Sequence, residues 1–99
     1  MAEIKITHSE VDNRGTVTAY DETGKKAGTM TYSRASEKLI IIDHTEVDPA
    51  FGGQGIGKKL VNATIDYARQ NSIKIIPLCP FSKNYFDKNA ADLQDVISK

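Results

Sequence analysis

The sequence predicts an α+β fold in which an antiparallel β-meander of four strands is followed by a helical crossover to a fifth, parallel strand and a short C-terminal helix. Three observations predict it. Short strand-like stretches separated by turns or polar connections occupy the first 42 residues, and the first two of them alternate apolar and polar side chains. A glycine-rich stretch then leads into a long amphipathic segment, and a short β-branched stretch follows that segment. Strands joined by short turns lie antiparallel, whereas strands joined through a helix usually lie parallel.

The four strands of the meander follow from their patterns. Residues 4–7 and 16–20 alternate apolar and polar side chains on either side of a turn, as half-buried strands do. Residues 27–32, rich in Thr, Met and Tyr, predict a third strand, and the polar stretch 33–38 predicts the connection to the fourth. Residues 39–42 are apolar at every position, which is typical of a central strand covered on both faces of a sheet.

A helix is predicted to begin at the glycine-rich stretch. Apolar side chains of residues 56–68 recur every three or four positions and form one stripe. The helix is expected to end at residues 70–72, before a short strand at 73–76 that Pro77 stops. Residues 81–88 predict a second helix. Apolar residues of the tail are expected to cover exposed core: Leu93, Val96 and Ile97.

The composition fits one small domain, residues 1–99, rather than two. The chain has 99 residues, and 13 Lys and Arg balance 13 Asp and Glu, so the formal net charge is zero and indicates neither nucleic acid nor an anionic membrane as a partner. No apolar run approaches the roughly 20 residues of a membrane span, and residues 1–5 lack a signal-peptide core. A single Cys excludes an internal disulfide. We expect a cytoplasmic protein whose oligomeric state, monomer or weak dimer, the sequence leaves open.

Four glycines lie within six residues at the junction between the most hydrophobic strand and the best helix: Gly52, Gly53, Gly55 and Gly57. Without side chains there, an anion can approach the unpaired backbone N–H groups of the first helical turn and the positive end of the helix dipole. This position favours a diphosphate-binding loop. A flexible loop before a weak helix start is the alternative, since short glycine motifs also occur by chance.

Spacing separates the known types of glycine loop. Residues 52–58 read G-x-x-x-x-G-K, as in nucleoside triphosphatases, but Lys59 follows where that loop needs Ser or Thr to hold magnesium. Residues 53–55 begin like a dinucleotide-binding G-x-G-x-x-G, but Lys58 replaces the third glycine. Ile75 also stands about 20 residues on, where an acidic residue would contact the ribose. Neither loop type fits.

The stretch V-D-P-A-F-G-G-Q-G-I-G-K-K-L at residues 47–60 resembles the acetyl-coenzyme A signature of the GNAT superfamily of N-acetyltransferases, Arg/Gln-x-x-Gly-x-Gly/Ala after a strand that ends Val-x-Pro. Gly55 and Gly57 fall on its two glycine positions. Gly52 replaces the usual Arg or Gln, so one side-chain contribution to the loop is missing. The wider run of residues 44–97 resembles a branch of very short, single-domain GNAT-like proteins, the yjdJ type. The resemblance implies a GNAT-like core.

The resemblance also implies a cofactor, acetyl-coenzyme A (acetyl-CoA). It would enter where the fourth and fifth strands splay apart, with its thioester arm paired to backbone near Glu46 and Val47 and its diphosphate on the amides of residues 54–58. Neither interaction requires a metal. The cofactor-binding residues expected on this basis are Glu46, Val47, Gly52, Gly53, Gln54, Gly55, Ile56, Gly57, Lys58, Cys79, Phe81 and Tyr85.

The implied activity is direct transfer of an acetyl group from the thioester to a primary amine of a small molecule or to an exposed protein amine. A non-catalytic module that binds CoA or acyl-CoA is the alternative, and an interaction domain without a nucleotide ligand is a third hypothesis. Turnover with a panel of amines distinguishes the first two, because both would bind the cofactor.

Acetyl transfer to an amine requires a base, and His44 is the first candidate. It lies at the end of the fourth strand, three residues before Val47, and imidazole titrates near neutral pH. The alternative is a structural histidine at a strand end. Asp43 and Glu46 are further candidates, with solvated carboxylates at a sheet end as their alternative.

Cys79 is the second candidate catalytic residue. Pro77 and Pro80 constrain the backbone around it, just past the last strand. Free Cys often acts as a small buried hydrophobic residue, but the branch that this chain resembles carries a Cys in a Pro-x-Cys-x-Phe context beside the cofactor. Apolar neighbours favour a thiol over a thiolate here, and hence transfer without a lasting acyl-enzyme.

The usual acid of GNAT enzymes is a Tyr of the final helix, which protonates the departing thiolate. Alignment of residues 85–88 with the common F-Y-E-K pattern puts Phe86 rather than Tyr85 on that position. This acid is therefore absent or shifted by one residue.

Overall fold

The structure is a computed structural model that describes residues 3–98. Met1, Ala2 and Lys99 lie outside the described residues, and with them part of the N-terminal stretch considered for a signal peptide. The strands are β1 (Lys5–Val11), β2 (Arg14–Tyr20), β3 (Lys26–Ser36), β4 (Leu39–Val47) and β5 (Lys74–Pro77). A 3₁₀ turn (Pro49–Phe51) follows β4, α1 (Ile56–Gln70) leads to β5, and α2 (Pro80–Lys88) follows β5.

The strands form one sheet in the order β1-β2-β3-β4-β5. The first four are antiparallel neighbours, and β5 lies parallel to β4, with Ile42 opposite Pro77 as the last pair. This confirms the predicted α+β fold, with its meander and its helical crossover. The predicted connection at residues 33–38 is wrong, because β3 continues to Ser36. Its polar residues reflect the exposure of the strand end rather than a loop.

The hydrophobic core lies on the face of the sheet that α1 covers. In β4, Ile40 and Ile42 are fully buried, whereas Leu39 and Ile41 are half-buried. The prediction that both faces of this strand are covered is therefore wrong, because a short apolar run does not distinguish a one-sided from a two-sided sheet. The other face, which we call the open face, carries hydroxyl side chains on β1 to β3: Thr7, Ser9, Thr16, Thr18, Thr29, Thr31 and Ser33.

The helix α1 and the tail complete the core. The buried face of α1 matches the predicted stripe, and it includes Ile56, Leu60, Val61, Ile65 and Ala68. In the tail, Leu93 and Val96 are buried, and Ile97 forms a parallel bridge with Ile75 of β5, so the tail covers core as predicted. Among residues 3–98, neither helix combines the length and the apolar character that crossing a bilayer requires.

A polar cluster ties the edge strand β1 to β3 and to the last turn of α1. Arg34 donates hydrogen bonds to both carboxylate oxygens of Glu10, at 2.7 and 2.8 Å, and to the hydroxyl of Tyr67 at 2.6 Å. The hydroxyl of Tyr32 donates to Glu10 at 2.8 Å and contacts Nε2 of His8. The hydrogen bonds from Arg34 lower the pKa of Glu10 to about 2, and burial lowers the pKa of His8.

Glu10→Gln should lower the free energy of unfolding at pH 7 by about 1–2 kcal/mol, because it removes the charged partner of Arg34. A carboxyl group whose pKa falls on folding stabilises the fold above its unfolded pKa and loses that contribution as the pH falls through its folded pKa. The wild-type chain should therefore lose stability between about pH 4.5 and about pH 2. The variant should lose less.

Urea unfolding at several pH values measures this difference. Asp87→Asn is the control. Within residues 3–98, Asp87 pairs only with Lys83, both side chains are more than half exposed, and such pairs contribute little. Parallel pH profiles of Glu10→Gln and the wild type would contradict the role given to the cluster.

Candidate active site

A β-bulge in β4 turns two consecutive side chains to the open face. Thr31 pairs with His44 and Tyr32 pairs with Ile42, so Asp43 is an extra residue on β4. In a regular strand Asp43 and His44 would point to opposite faces. Both instead line a cavity of about 410 Å³. The bulge thus places the predicted base beside a carboxylate.

The three candidates for the base are divided between two cavities. His44 is exposed and shares its cavity with Asp43 and with Leu78, which is 64% exposed. Asp43 accepts a hydrogen bond of 2.6 Å from the hydroxyl of Ser33. Glu46 lines a second cavity, of about 390 Å³, between the end of β4 and the start of β3.

The sheet divides after Ile42. This residue is the last of β4 to pair with β5, and the N–H of Cys79 still donates to its carbonyl at 3.1 Å. From residue 43 onwards, no strand in the described part of the chain pairs with β4 on that side. The backbone of residues 43–47 therefore forms a free strand edge, which includes Glu46 and Val47, the predicted contacts of the thioester arm.

The glycine loop ends in a row of unpaired backbone donors at the start of α1. Gly53 and Gly55 have φ angles of +80° and +71°, where residues with side chains are strained. Gly55 is the N-cap of α1, and the N–H groups of residues 55–58 make no hydrogen bond to any described residue. The N–H of Gln54 donates to the carbonyl of Phe51 at 3.3 Å. Four consecutive donors at the positive end of a helix dipole can hold an anion.

Three other residues of the loop differ in what they can offer a ligand. Gly52 closes the 3₁₀ turn, where its N–H donates to the carbonyl of Pro49 at 3.2 Å. The side chain of Ile56 is buried, so this residue can offer only its N–H group. The side chain of Lys58 is exposed in the first turn of α1, where its charge can reach an anion at the loop.

The second helix brings one aromatic side chain, that of Phe81, to the loop. The ring of Phe81 lies against Gly57, where a Cβ would come within 2.6 Å of Cζ, and Phe81 is still 43% exposed. Phe81 therefore leaves part of its ring open beside the loop. The hydroxyl of Tyr85 donates to the side-chain oxygen of Asn62 on α1 at 2.7 Å, and Phe86 is fully buried. The hydroxyl of Tyr85 is thus engaged, and Phe86 has no hydroxyl, so neither residue offers the free hydroxyl group that the usual acid requires.

Cys79 is the N-cap of α2 and lies among hydroxyl groups. Its sulfur accepts a hydrogen bond of 3.4 Å from the N–H of Ser82 and lies 3.0 Å from the hydroxyl oxygen of Ser82. The hydroxyl oxygen of Thr45, on the free edge of β4, is 3.3 Å from the sulfur. Cys79 is only 4% exposed. The thiol is therefore held just beneath the free edge rather than at the surface.

Sequence reasoning missed the hydroxyl groups around Cys79 and Asp43. The contact with Ser82 was predictable, because Pro80 directly after Cys79 is typical of the first position of a helix. The side chain of an N-cap residue at Cys79 then accepts a hydrogen bond from the N–H of the third helical residue, Ser82. Thr45 and Ser33 reach their partners only through pairing of strands and packing of α2. No local pattern indicates such contacts.

Comparison with known proteins identifies the family. Residues 16–96 match the model of the GCN5-related N-acetyltransferases. The chain belongs to this GNAT family. The matched residues include the bulge of β4, the glycine loop and all of α2, and so most of the candidate site described above.

Curated relatives of this GNAT chain are longer than it is. Protein NATD1 from Xenopus tropicalis is 32% identical over 60 residues, which make up 61% of this chain and 55% of that protein. NATD1 from Mus musculus is 28% identical over 60 residues, 61% of this chain and 54% of the relative. The chain thus spans about half the length of the curated relatives that it matches.

Solved structures share the GNAT fold. A GCN5-like protein from Staphylococcus aureus is 35% identical to this chain, with a TM-score of 0.68 over 93% of this chain and 87% of that one. YhbS from Escherichia coli, a GNAT family N-acetyltransferase solved in complex with CoA, has a TM-score of 0.55 at 19% identity, over 62% of this chain and 37% of its own. The second likeness is one of fold alone.

Cys79→Ser should leave the stability of the fold nearly unchanged, whereas Cys79→Ala should lower the free energy of unfolding by about 1 kcal/mol. Ser keeps a side-chain acceptor for the N–H of Ser82, and Ala does not. Chemical denaturation measures both variants. Equal losses in the two would show that the cap contributes nothing to stability.

Proposed function

We propose that this chain, as one domain of residues 1–99, is an acetyl-CoA-dependent N-acetyltransferase. It would transfer the acetyl group directly to a primary amine of a small molecule or to an exposed protein amine. One observation carries the proposal: the gap that opens between β4 and β5 after Ile42 has His44 and Cys79 where it begins, and the loop that follows β4 leads to backbone N–H groups that no described residue engages. Membership of the GNAT family supports it.

The residues present fit a CoA thioester. The N–H groups of residues 55–58 can hold a diphosphate without any side chain, and Gly55 has no Cβ to obstruct its approach. The free edge of residues 43–47 offers backbone donors and acceptors to an extended arm. The exposed ring of Phe81 offers an apolar surface beside the loop. These groups would bind and orient the thioester.

A bound acetyl-CoA supplies an acetyl group whose thioester C–S bond breaks as the new C–N bond forms. His44, exposed on the open face, would accept a proton from the attacking amine at a ring nitrogen. Cys79, whose sulfur lies 3.0 Å from the hydroxyl oxygen of the buried Ser82, would donate a hydrogen bond to the departing sulfur. Because Cys79 is buried and already hydrogen-bonded, it suits this supporting role better than that of an acetyl carrier.

A CoA-binding module without activity is the second candidate function. It is favoured by the absence of an unengaged Tyr in α2, since Phe86 is buried and Tyr85 is bonded to Asn62. Turnover with a panel of amines decides: acetylation above the rate without enzyme supports the transferase, and acetyl-CoA binding without turnover supports the module. Intact mass spectrometry tests direct transfer, which an acetyl adduct on Cys79 that passes to an amine would contradict.

Gly55→Val should abolish CoA binding while the fold is kept, because a branched side chain obstructs the N–H groups of residues 55–58 and resists a positive φ. Gly24→Val is the matched control. Gly24 has a φ of +88° in the turn between β2 and β3, and at both glycines a Cβ meets no atom within 4 Å. Both variants therefore bear similar backbone strain. Isothermal titration should show loss of CoA binding in Gly55→Val alone, and unchanged affinity in the folded variant would contradict the anion site.

His44→Gln should lower kcat by about 10²–10⁴ and change the affinity for acetyl-CoA little, because Gln fills the position but cannot accept the proton. His8→Gln is the control, since His8 lies in the polar cluster with Tyr32. Steady-state kinetics over a range of pH measure the effect. If the pH–rate profile of His44→Gln matched that of the wild type, His44 would be excluded as the base.

A further inference from the structure

We propose that the cavity beside His44 binds the acceptor as a zwitterion, a small amine that also carries a carboxylate, such as a free amino acid. Arg14 would hold the carboxylate and Asp43 the ammonium group. The cavity has a volume of about 410 Å³, within the usual range for small-molecule sites. This inference rests on the proposed function and names the substrate class of the same site.

The cavity lies at the point where the sheet divides. Asp43 and His44 are the first residues of β4 beyond its last pair with β5, and Leu78 is the first residue after β5. All three line the cavity. An amine held there would stand at the opening of the gap, on the opposite side of β4 from Cys79, which contacts Thr45.

Asp43 is held in place and keeps bonding capacity. The hydroxyl of Ser33 donates to Oδ2 at 2.6 Å, which fixes the carboxylate. The other oxygen, Oδ1, makes no hydrogen bond to any residue of the described chain. A fixed carboxylate with an unengaged oxygen can accept a hydrogen bond from an ammonium group, in the strong charge-assisted form.

Arg14 lines the same cavity from β2, two strands away from β4. Its side chain forms no ion pair or hydrogen bond with any described residue. Asp43 lines the same cavity, but the two side chains do not pair with each other. A guanidinium with all its donors available suits bidentate binding of a carboxylate. One cation and one anion at separate places in one cavity complement a zwitterion better than they complement a simple amine.

The chemistry balances with these groups. One proton of the bound ammonium passes to His44, the nitrogen lone pair forms the amide bond as the thioester C–S bond breaks, and the second proton lost from nitrogen neutralises the departing thiolate. The product keeps its carboxylate but has lost its positive charge. Asp43 then faces a neutral amide, and the weaker interaction favours product release.

Binding of unacetylated ligands tests the cavity without the cofactor. The probes are glycine, β-alanine and γ-aminobutyrate, each paired with its own amide, which keeps the amine and lacks the carboxylate. NMR titration should show at least one acid binding about tenfold or more tightly than its amide. Arg14→Met should bring the ratio of the affinity for the acid to the affinity for its amide close to one. Asp43→Asn should weaken binding of both members of the pair.

Lys5→Met is the matched control, because Lys5 is an exposed cation on the same face at the other end of β1. It should keep the full preference for the acid. Arg14→Lys, which retains the charge without the planar fork, should keep part of it. Equal affinity for acids and amides, no binding of any probe, or equal effects of Arg14→Met and Lys5→Met would each overturn the proposal.

Turnover separates this inference from the function on which it rests. With acetyl-CoA present, the kcat/KM ratio of acid to amide should exceed about ten, and Arg14→Met should reduce it towards one. Arg14-dependent binding without turnover of any amine would support the cavity and reject the transferase. Turnover of acids and amides at equal rates would support the transferase and reject the zwitterion site.

Discussion

The rest of the structure depends on one constraint: β5 separates from β4 after the pair formed by Ile42 and Pro77. Pro77 has no N–H to continue the ladder, and the N–H of Leu78 turns back to the carbonyl of Ile76 at 3.1 Å. The chain then enters α2 through Cys79 and Pro80. Had β5 continued, its backbone would occupy the edge of residues 43–47, and a ligand could not reach it.

The one-sided core explains why the site is open. Both helices follow β4 in the chain, and their buried residues join a single cluster with one face of the sheet. Most hydroxyl-bearing residues of the open face are exposed or half-exposed and need no apolar cover, because Thr is well suited to a half-exposed strand. His44 is therefore accessible from solvent without the displacement of any helix, whereas Cys79 lies inside the protein.

Features of the fold encoded by neighbouring residues were predictable from sequence, and those that depend on pairing were not. The glycine loop, the stripe of α1 and the stop at Pro77 are local signals, and the structure contains all three. The bulge at Asp43 is different, because an extra residue is defined only against the partner strand. Alternation alone would have separated Asp43 from His44. Arg14 gave no signal at all, since it is 29 residues away in sequence from Asp43.

The hydrogen bond between Arg34 and Tyr67 affects the glycine loop, which lies at the opposite end of α1 from Tyr67. Tyr67 lies in the last turn of α1, and Arg34 bonds it to a strand of the sheet. Because a helix is stiff over 15 residues, fixing its last turn also fixes the direction in which its first N–H groups point. The donors of residues 55–58 are therefore preorganised, and an anion that binds them need not order the helix first.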